Sequence, residues 1–375
     1  MVSAPSVTTS TTTASGPLKG LKVIEFAGIG PGPFACMLLS DMGAEVVRID
    51  RPGARLGDAH DIIGRGRQTV LLDLKKADDI AQVLDLLSSA DVLVEGFRPG
   101  VMERLGLGPD AVAARNPRLV YGRMTGWGQE GPLAQAAGHD INYISVAGAL
   151  AAIGEPGRAP VPPLNLVGDY GGGSLYLVTG ILAAVLEART SGRGQVVDAA
   201  ITDGVVSLMS LFQTMALRGS HVEARGSNML DGGAPYYGAY ETADGNHVSL
   251  GPIEPKFFEL LCVKLDLPQA LRDAQNDRSR WPALREAIAQ RVKARSRDAL
   301  CALLEGTDVC FAPVLTLSEA AQHPHNQARG AFVDVDGVRQ AAPAPRFSRT
   351  PSRIQGAAPR SAVRAQAVLQ RWRGA

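Results

Sequence analysis

The chain is poor in several things, and each scarcity narrows what it can be. Of its 375 residues only four are cysteine, at Cys36, Cys262, Cys301 and Cys310, all in apolar or helix-like contexts without paired spacing. That leaves no disulfide framework and no metal-ligand motif, so they read as reduced, buried thiols, with a reactive one as an open alternative. Net charge is nearly absent: Lys and Arg exceed Asp and Glu by one, 38 against 37. No global field draws the protein to nucleic acid or to an anionic membrane. No uninterrupted run of 18 apolar residues is present, so no transmembrane helix is expected. The opening "MVSAPSVTTSTTTASG" has neither the basic start and apolar middle of a secretion signal nor the arginines of a transit peptide. Residues 1–16 read as a disordered tail, the closing "WRGA" lacks the peroxisomal tripeptide, and the expected location is cytoplasmic.

What is present is a soluble globular composition, 45% apolar and 20% charged. From Leu21 to about Arg123, β-branched runs alternate with helical ones. "LKVIEF", "EVVRID", "TVLLDL", "DVLVEGF" and "RLVYGRM" read as strands, with "FACMLLSDMG", "ADDIAQVLDLLSSA", "VMERLGLG" and "DAVAARN" as the helices between. That alternation predicts an α/β fold on a parallel sheet. After Gly126 come Gly/Pro-rich loops, the long helix "LYLVTGILAAVLEART", and a strand that turns helical in "RGQVVDAAITDGVVSLMSLFQTMAL". From about Tyr237 a smaller α+β domain is expected: a hairpin turning at Asp244-Gly245, then helices at "KFFELLCVKL", "WPALREAIAQRVKA" and "RDALCALLEG". The Pro/Ala/Arg-rich segment "APAPRFSRTPSRIQGAAPRSA" reads as an extended strap along the first domain.

The first βαβ unit carries Gly28-Ile29-Gly30-Pro31-Gly32-Pro33 at its turn. A dinucleotide fingerprint wants glycine where Pro33 stands, for close packing of helix on strand. Proline there also removes an amide that could meet a pyrophosphate. Arg51, just past the acid Asp50 at the end of the second strand, suits a phosphate. A nicotinamide site, a structural turn and a phosphorylated-adenosine site all stay open at this point.

Three titratable residues sit at loop-to-helix junctions: His139 in "AGHDINYIS", Asp169 in "NLVGDYGGGS" and Glu254 in "LGPIEPKFF". Backbone amides at helix N-termini stabilise negative charge there. An aspartate before a helix is most often only a cap, and a lone histidine only a satisfied surface or core group. Their joint emergence from Gly-rich loops supports an acid/base site in an α/β enzyme.

"GLKVIEFAGIGPGPFACMLLSDMGAEVVRIDRPG", "LVEGFRPGVMERLGLG", "RMTGWGQEGPLAQAAGHDINYIS", "PPLNLVGDYGGGS", "GQVVDAAITDG" and "MLDGGAPYYGAYETADG" together resemble the family III CoA-transferase superfamily, and within it the α-methylacyl-CoA racemase branch. The resemblance runs from about Leu18 to Phe347. It implies a Rossmann-like large domain of residues 17–201 plus 343–375, linkers 202–236 and 332–342, a small domain 237–331, and an interlocked homodimer. It further implies that His139 and Asp169 are the two acid/base groups and that Glu254 orients the histidine. Arg51, Leu72, Asp73, Leu74 and Lys75 would hold the CoA adenosine. Gly96, Phe97, Arg98 and Arg104 would hold the phosphates and pantetheine arm, while Gly138, Asp140, Ile141, Asn142 and Tyr143 would meet the thioester end. The implied activity is racemisation of a 2-methylacyl-CoA through an enolate, with no metal and no cofactor beyond the substrate's own CoA. A family III CoA transfer through an Asp169 anhydride is the alternative. The acyl tail would run over apolar surface, with the methionines of "SLMSLFQTMAL" and "SNMLDGG" as candidates.

Overall fold

A computed structural model describes residues 15–374, in two compact units. The first comprises residues up to 147, 163–208 and 327 onward; the second comprises 148–162 and 209–326. The tail expected over residues 1–16 lies outside the described residues as far as 14. Ser15 and Gly16 are held: the Ser15 hydroxyl donates to the Pro351 carbonyl at 3.1 Å.

The first unit is a six-stranded sheet of order β3-β2-β1-β4-β5-β6, with every pair parallel. Its strands are β1 (Lys22–Phe26), β2 (Glu45–Asp50), β3 (Arg67–Leu71), β4 (Val92–Glu95), β5 (Val120–Thr125) and β6 (Val196–Ala200). The connecting helices are α1 (Pro31–Asp41), α2 (Ala77–Leu87), α3 (Val101–Arg104), α4 (Pro109–Arg115), α5 (Asp140–Val146), α6 (Leu175–Ser191) and, after β6, α7 (Ile201–Leu208). Strands covered on both faces must be apolar along their length, and β1 and β4 are: Val23, Ile24, Val92 and Leu93 are fully buried. The order reverses between β1 and β4, which opens a crevice at their carboxyl ends.

Strand β3 starts two residues earlier than the hydrophobic pattern suggests. Arg65 and Arg67 stand ahead of the "TVLLDL" run, yet they are 2% and 5% exposed. Each is neutralised in the interior. Arg67 donates to Glu25 on β1 at 2.8 Å, and Arg65 pairs bidentately with Asp41. Arg65 also donates to the Gln340 side chain and the Ala341 carbonyl, both at 2.8 Å. Those acceptors belong to a hairpin, β10 (Phe332–Val335) and β11 (Val338–Ala341), where the sequence suggests an irregular linker at 332–342. Residues 202–236, which the resemblance makes a linker, begin with the helices expected of "RGQVVDAAITDGVVSLMSLFQTMAL": the rest of α7 and then α8 (Ser210–Leu217).

The expected strap lies along this unit. The Arg353 amide donates to Asp41, Gly66 to the Gly356 carbonyl, and Val363 to Thr69 on β3. A terminal helix, Ala365–Arg373, which the strap reading lacks, then buries Val368, Leu369 and Trp372 beside α2. Leu166–Ser191 is one continuous helical stretch of 26 residues, long and apolar enough by length and composition to cross a membrane. An uninterrupted-run test passes over it because polar residues interrupt it. Here it is a core element, with Leu177, Val178, Ile181, Ala184 and Ala188 buried and α6 packed on β5 and β6.

The second unit contains a three-stranded antiparallel sheet, β7 (Gly238–Glu241), β8 (His247–Leu250) and β9 (Phe311–Val314). Gly245, in the turn, has φ +75°, which accounts for the Asp-Gly pair there. Helices α9 (Pro255–Lys264), α10 (Trp281–Lys293) and α11 (Arg297–Leu304) supply Phe258, Leu261, Leu284, Ile288 and Leu300 to its core. Of the four cysteines expected to be buried, Cys310 is exposed. Partial desolvation and the neighbouring acids Glu254 and Asp308 raise its pKa, which disfavours the thiolate.

The first turn of α6 is preceded by a wide π-helical segment, Leu166–Ser174, that runs against α7. A Cβ on Gly204 would stand 1.9 Å from the Gly172 carbonyl oxygen, so only two glycines allow that approach. Gly204→Ala should cost about 3 kcal/mol or more, the upper range of overpacking, because backbone and not a side chain is in the way. Gly32→Ala, with nothing within 4 Å of its added methyl, should be neutral or up to ~1 kcal/mol stabilising. Urea unfolding of both variants checks the contrast.

Candidate active site

A cavity of about 710 Å³ opens at the carboxyl ends of β1, β4 and β5, at the crevice where strand order reverses. The glycine turn Gly28–Pro33 forms one wall and Gly96–Arg98 after β4 another. Trp127, Gly138, His139, Asn142, Tyr143 and Asp169 complete the part that carries chemistry. The predicted residues Gly96, Phe97, Arg98, Gly138, His139, Asn142, Tyr143 and Asp169 therefore share one space.

His139 is the N-cap of α5, with extended backbone at φ −133°. Its amide donates to Asn142 Oδ1 at 3.0 Å, which fixes the histidine backbone while the ring stands exposed at the cavity. Tyr143, one residue on, donates through its hydroxyl to the Gly138 carbonyl. Its ring lies edge-on to Trp127, centroids 4.8 Å apart, over Gly126, where any side chain would overlap it.

Asp169 departs from its expected place as a residue just ahead of a helix. It sits in the middle of the Leu166–Ser174 π-helical segment, a kind of distortion that recurs at functional sites. Its Oδ2 accepts from Asn165 Nδ2 at 3.3 Å. The same oxygen approaches Gly30, where a Cβ would come within 3.0 Å and φ is +70°. This explains the glycine turn: in this chain it admits the Asp169 carboxyl. The carbonyl of Pro33, the residue that breaks the dinucleotide pattern, accepts from buried Arg67. Phe34 stacks on Tyr170 at 4.2 Å, pinning α1 to the segment that bears Asp169.

Burial pushes the Asp169 carboxyl above the ordinary 3.8. The Asn165 hydrogen bond opposes the shift, the Asp140 charge adds to it, and His139 opposes it more weakly. Burial also raises Glu95, whose carboxylate organises the neighbouring wall. Glu95 accepts the Phe97 amide at 2.7 Å and pairs with Arg123, which reaches on to Glu103 at 2.8 Å.

Other predicted residues lie elsewhere. Arg51 is exposed just past β2, its amide donating to Asp50 at 2.8 Å. Leu72 is 5% exposed within the core, and Asp73 accepts the Lys75 amide at 3.1 Å where the chain turns toward α2. Leu74 is packed against the same core, and Arg104 ends α3. Ile141 is 43% exposed on α5, outside the cavity wall. Asp140, expected at the thioester end, turns inward, and its carboxylate accepts the Asp169 amide at 2.6 Å. Glu254 caps α9 in the second unit, with Pro255 at the first helical position. Sequence reasoning missed Asn165, Trp127 and the support from Arg67; Asn165 and Trp127 left a trace, since each lies in a quoted motif, with Asp169 and with His139 respectively.

Residues 18–362 match the pattern of CoA-transferase family III. The chain belongs to that family. Among its relatives are the α-methylacyl-CoA racemases of mouse and human, 42% and 43% identical, each over 89% of this chain and 87% of its own length. A CAIB/BAIF family protein from Brucella suis has the same mixed α/β fold, with TM-score 0.82 and 26% identity over 96% of this chain and 100% of its own. Membership in family III makes the cavity, not the nicotinamide alternative, the place to seek chemistry.

Because the fold raises the Asp169 pKa, it opposes ionisation of that group. Stability from such a group is full below its unfolded value and is lost as pH rises through its folded value. Asp169→Asn should therefore melt above the parent at pH 7, and the gain should vanish below about pH 3.8. Calorimetry across that range checks it; a parent-like or lower Tm at pH 7 would count against it.

Proposed function

We propose that this protein inverts carbon 2 of 2-methylacyl-CoA thioesters by moving one proton off and another on at the same carbon. A thioester α-hydrogen is far less acidic than any side chain, so its removal needs a positioned base and a donor for the enolate oxygen. One observation carries the reading: an imidazole, His139, and a carboxyl of raised pKa, Asp169, face a single cavity. In one direction His139 takes the α-proton and protonated Asp169 delivers another to the opposite face. In reverse Asp169 is the base and the imidazolium the acid. The mechanism requires the pair to hold one proton between them. The Asp169 amide is engaged by Asp140, so the enolate oxygen would take its donor from another amide at the cavity, with the first turn of α5 beside His139 the candidate. The reaction calls for no metal and no cofactor, CoA being part of the substrate.

The remaining roles complete the proposal. Arg98 in the cavity, with Arg51 and Arg104 further along the same edge of the sheet, would neutralise CoA phosphates. Segment 72–75 would flank the adenine. Glu254, on the second unit, would reach the histidine of a partner copy in an interlocked homodimer. Exposed apolar residues on the first unit support such an assembly, among them Val146, Leu175, Leu186 and Leu208 at 45–70% exposure.

A single enantiomer of a 2-methylacyl-CoA, incubated in D₂O without acceptor acid, should lose its α-proton NMR signal as the other enantiomer appears. His139→Ala and Asp169→Ala should each lower the inversion rate on the order of 10³-fold. Full inversion by His139→Ala would refute the assignment. A substrate untouched until a carboxylic acid is added, followed by CoA transfer to that acid, would make Asp169 a nucleophile and the protein a transferase.

A further inference from the structure

The residue after the histidine faces the other way. Asp140 is 8% exposed, and its Oδ1 accepts the Asp169 amide at 2.6 Å. The nearby Gly168 amide also favours the ionised form of this carboxylate. Gly168 itself is shaped by this contact, since a Cβ there would lie 2.2 Å from Asp140 Oδ1. The second oxygen, Oδ2, is buried without a hydrogen-bond partner. A carboxylate in that position exerts two forces: it tethers the backbone from which the Asp169 side chain springs, and it places a like charge beside it.

The geometry points to Asp140 as a positioning residue that ties α5 to the Leu166–Ser174 segment, holds the backbone of Asp169 and keeps a like charge behind that side chain. The inference rests on the proposed proton transfer for its functional meaning. Charged amide–carboxylate hydrogen bonds are about twice as strong as neutral ones, so this bond is a strong tether between α5 and the segment. The groups that bear on the Asp169 carboxyl are Asn165 on its own segment and Asp140 and His139 on α5. Tyr143, also on α5, is coupled to Asp169, to Arg98 across the cavity and to Asp140. Of the charged groups, Asp140 is the one that both touches the Asp169 backbone and repels its ionised side chain. Having His139 and Asp140 as neighbours at the start of one helix makes their spacing to Asp169 a single structural variable.

Two variants separate tether from charge. Asp140→Asn keeps an oxygen for the amides and removes the charge. It should leave Tm and the KM for the CoA ester near the parent's while moving the acidic limb of the kcat/KM profile to lower pH. Asp140→Ala removes both, and kcat should fall on the order of 100-fold, as for a small misplacement of a reacting group. In Asp140→Ala, amide hydrogen exchange across 166–174 should also accelerate, and that readout needs no turnover. An unmoved acidic limb in Asp140→Asn, or parent-like exchange across 166–174 in Asp140→Ala, would overturn the inference. A parent enzyme that fails to invert its substrate would instead overturn the proposed function, and the exchange result would still decide whether Asp140 is the tether.

Discussion

The close approach of two backbones, at Gly172 and Gly204, is the constraint on which the site depends. It lets the wide segment before α6 lie directly on α7, and so sends Asp169 back toward the glycine turn after β1 instead of out along a helix axis. Three further contacts then close around it: Phe34 on Tyr170, Asn165 and Gly30 on the carboxyl, and Asp140 on the amide. None of these neighbours is near Asp169 through regular secondary structure alone except Asn165. The site is a packing result, assembled from α1, α5 and the segment before α6 against the open end of a parallel sheet.

Burial then turns geometry into chemistry. A carboxyl half withdrawn from water, with a second carboxylate behind it, holds its proton more tightly than a surface aspartate does. That costs folding stability at neutral pH, in the usual exchange between a poised site and a stable one. The buried charges of the surrounding sheet are all paired. Arg67 with Glu25, Arg65 with Asp41, and Arg123 between Glu95 and Glu103 each satisfy charges that would otherwise be orphaned. Two of these arginines also do positional work: Arg67 anchors the glycine turn through Pro33, and Arg65 anchors the hairpin at 332–341.

Much of this was legible in the sequence. The five strands from β1 to β5 announce themselves because a strand buried on both faces must be a continuous β-branched run. His139 and Asp169 stand out as polar groups at glycine-rich junctions, and the family resemblance carries the rest of their assignment. The misreadings have one cause. Arg65 and the start of β3 at Arg67 lie outside the hydrophobic run because burial of arginine depends on partners 24 and 42 positions away. Cys310 looks buried from its apolar neighbours, yet it occupies a left-handed turn at φ +51° on the surface. Asp140 reads as part of a substrate-facing motif although its side chain points into the protein.

The sequence by itself therefore determined the order of strands and helices, the family, and which residue types stand at the junctions, since those follow from local periodicity and short motifs. Only the tertiary structure decided which junctions meet, that Asp140 serves Asp169 and not the cavity, and that the glycine turn admits a carboxyl. Those outcomes depend on contacts between residues tens to hundreds of positions apart, and on the loss of water around them, which no local pattern encodes.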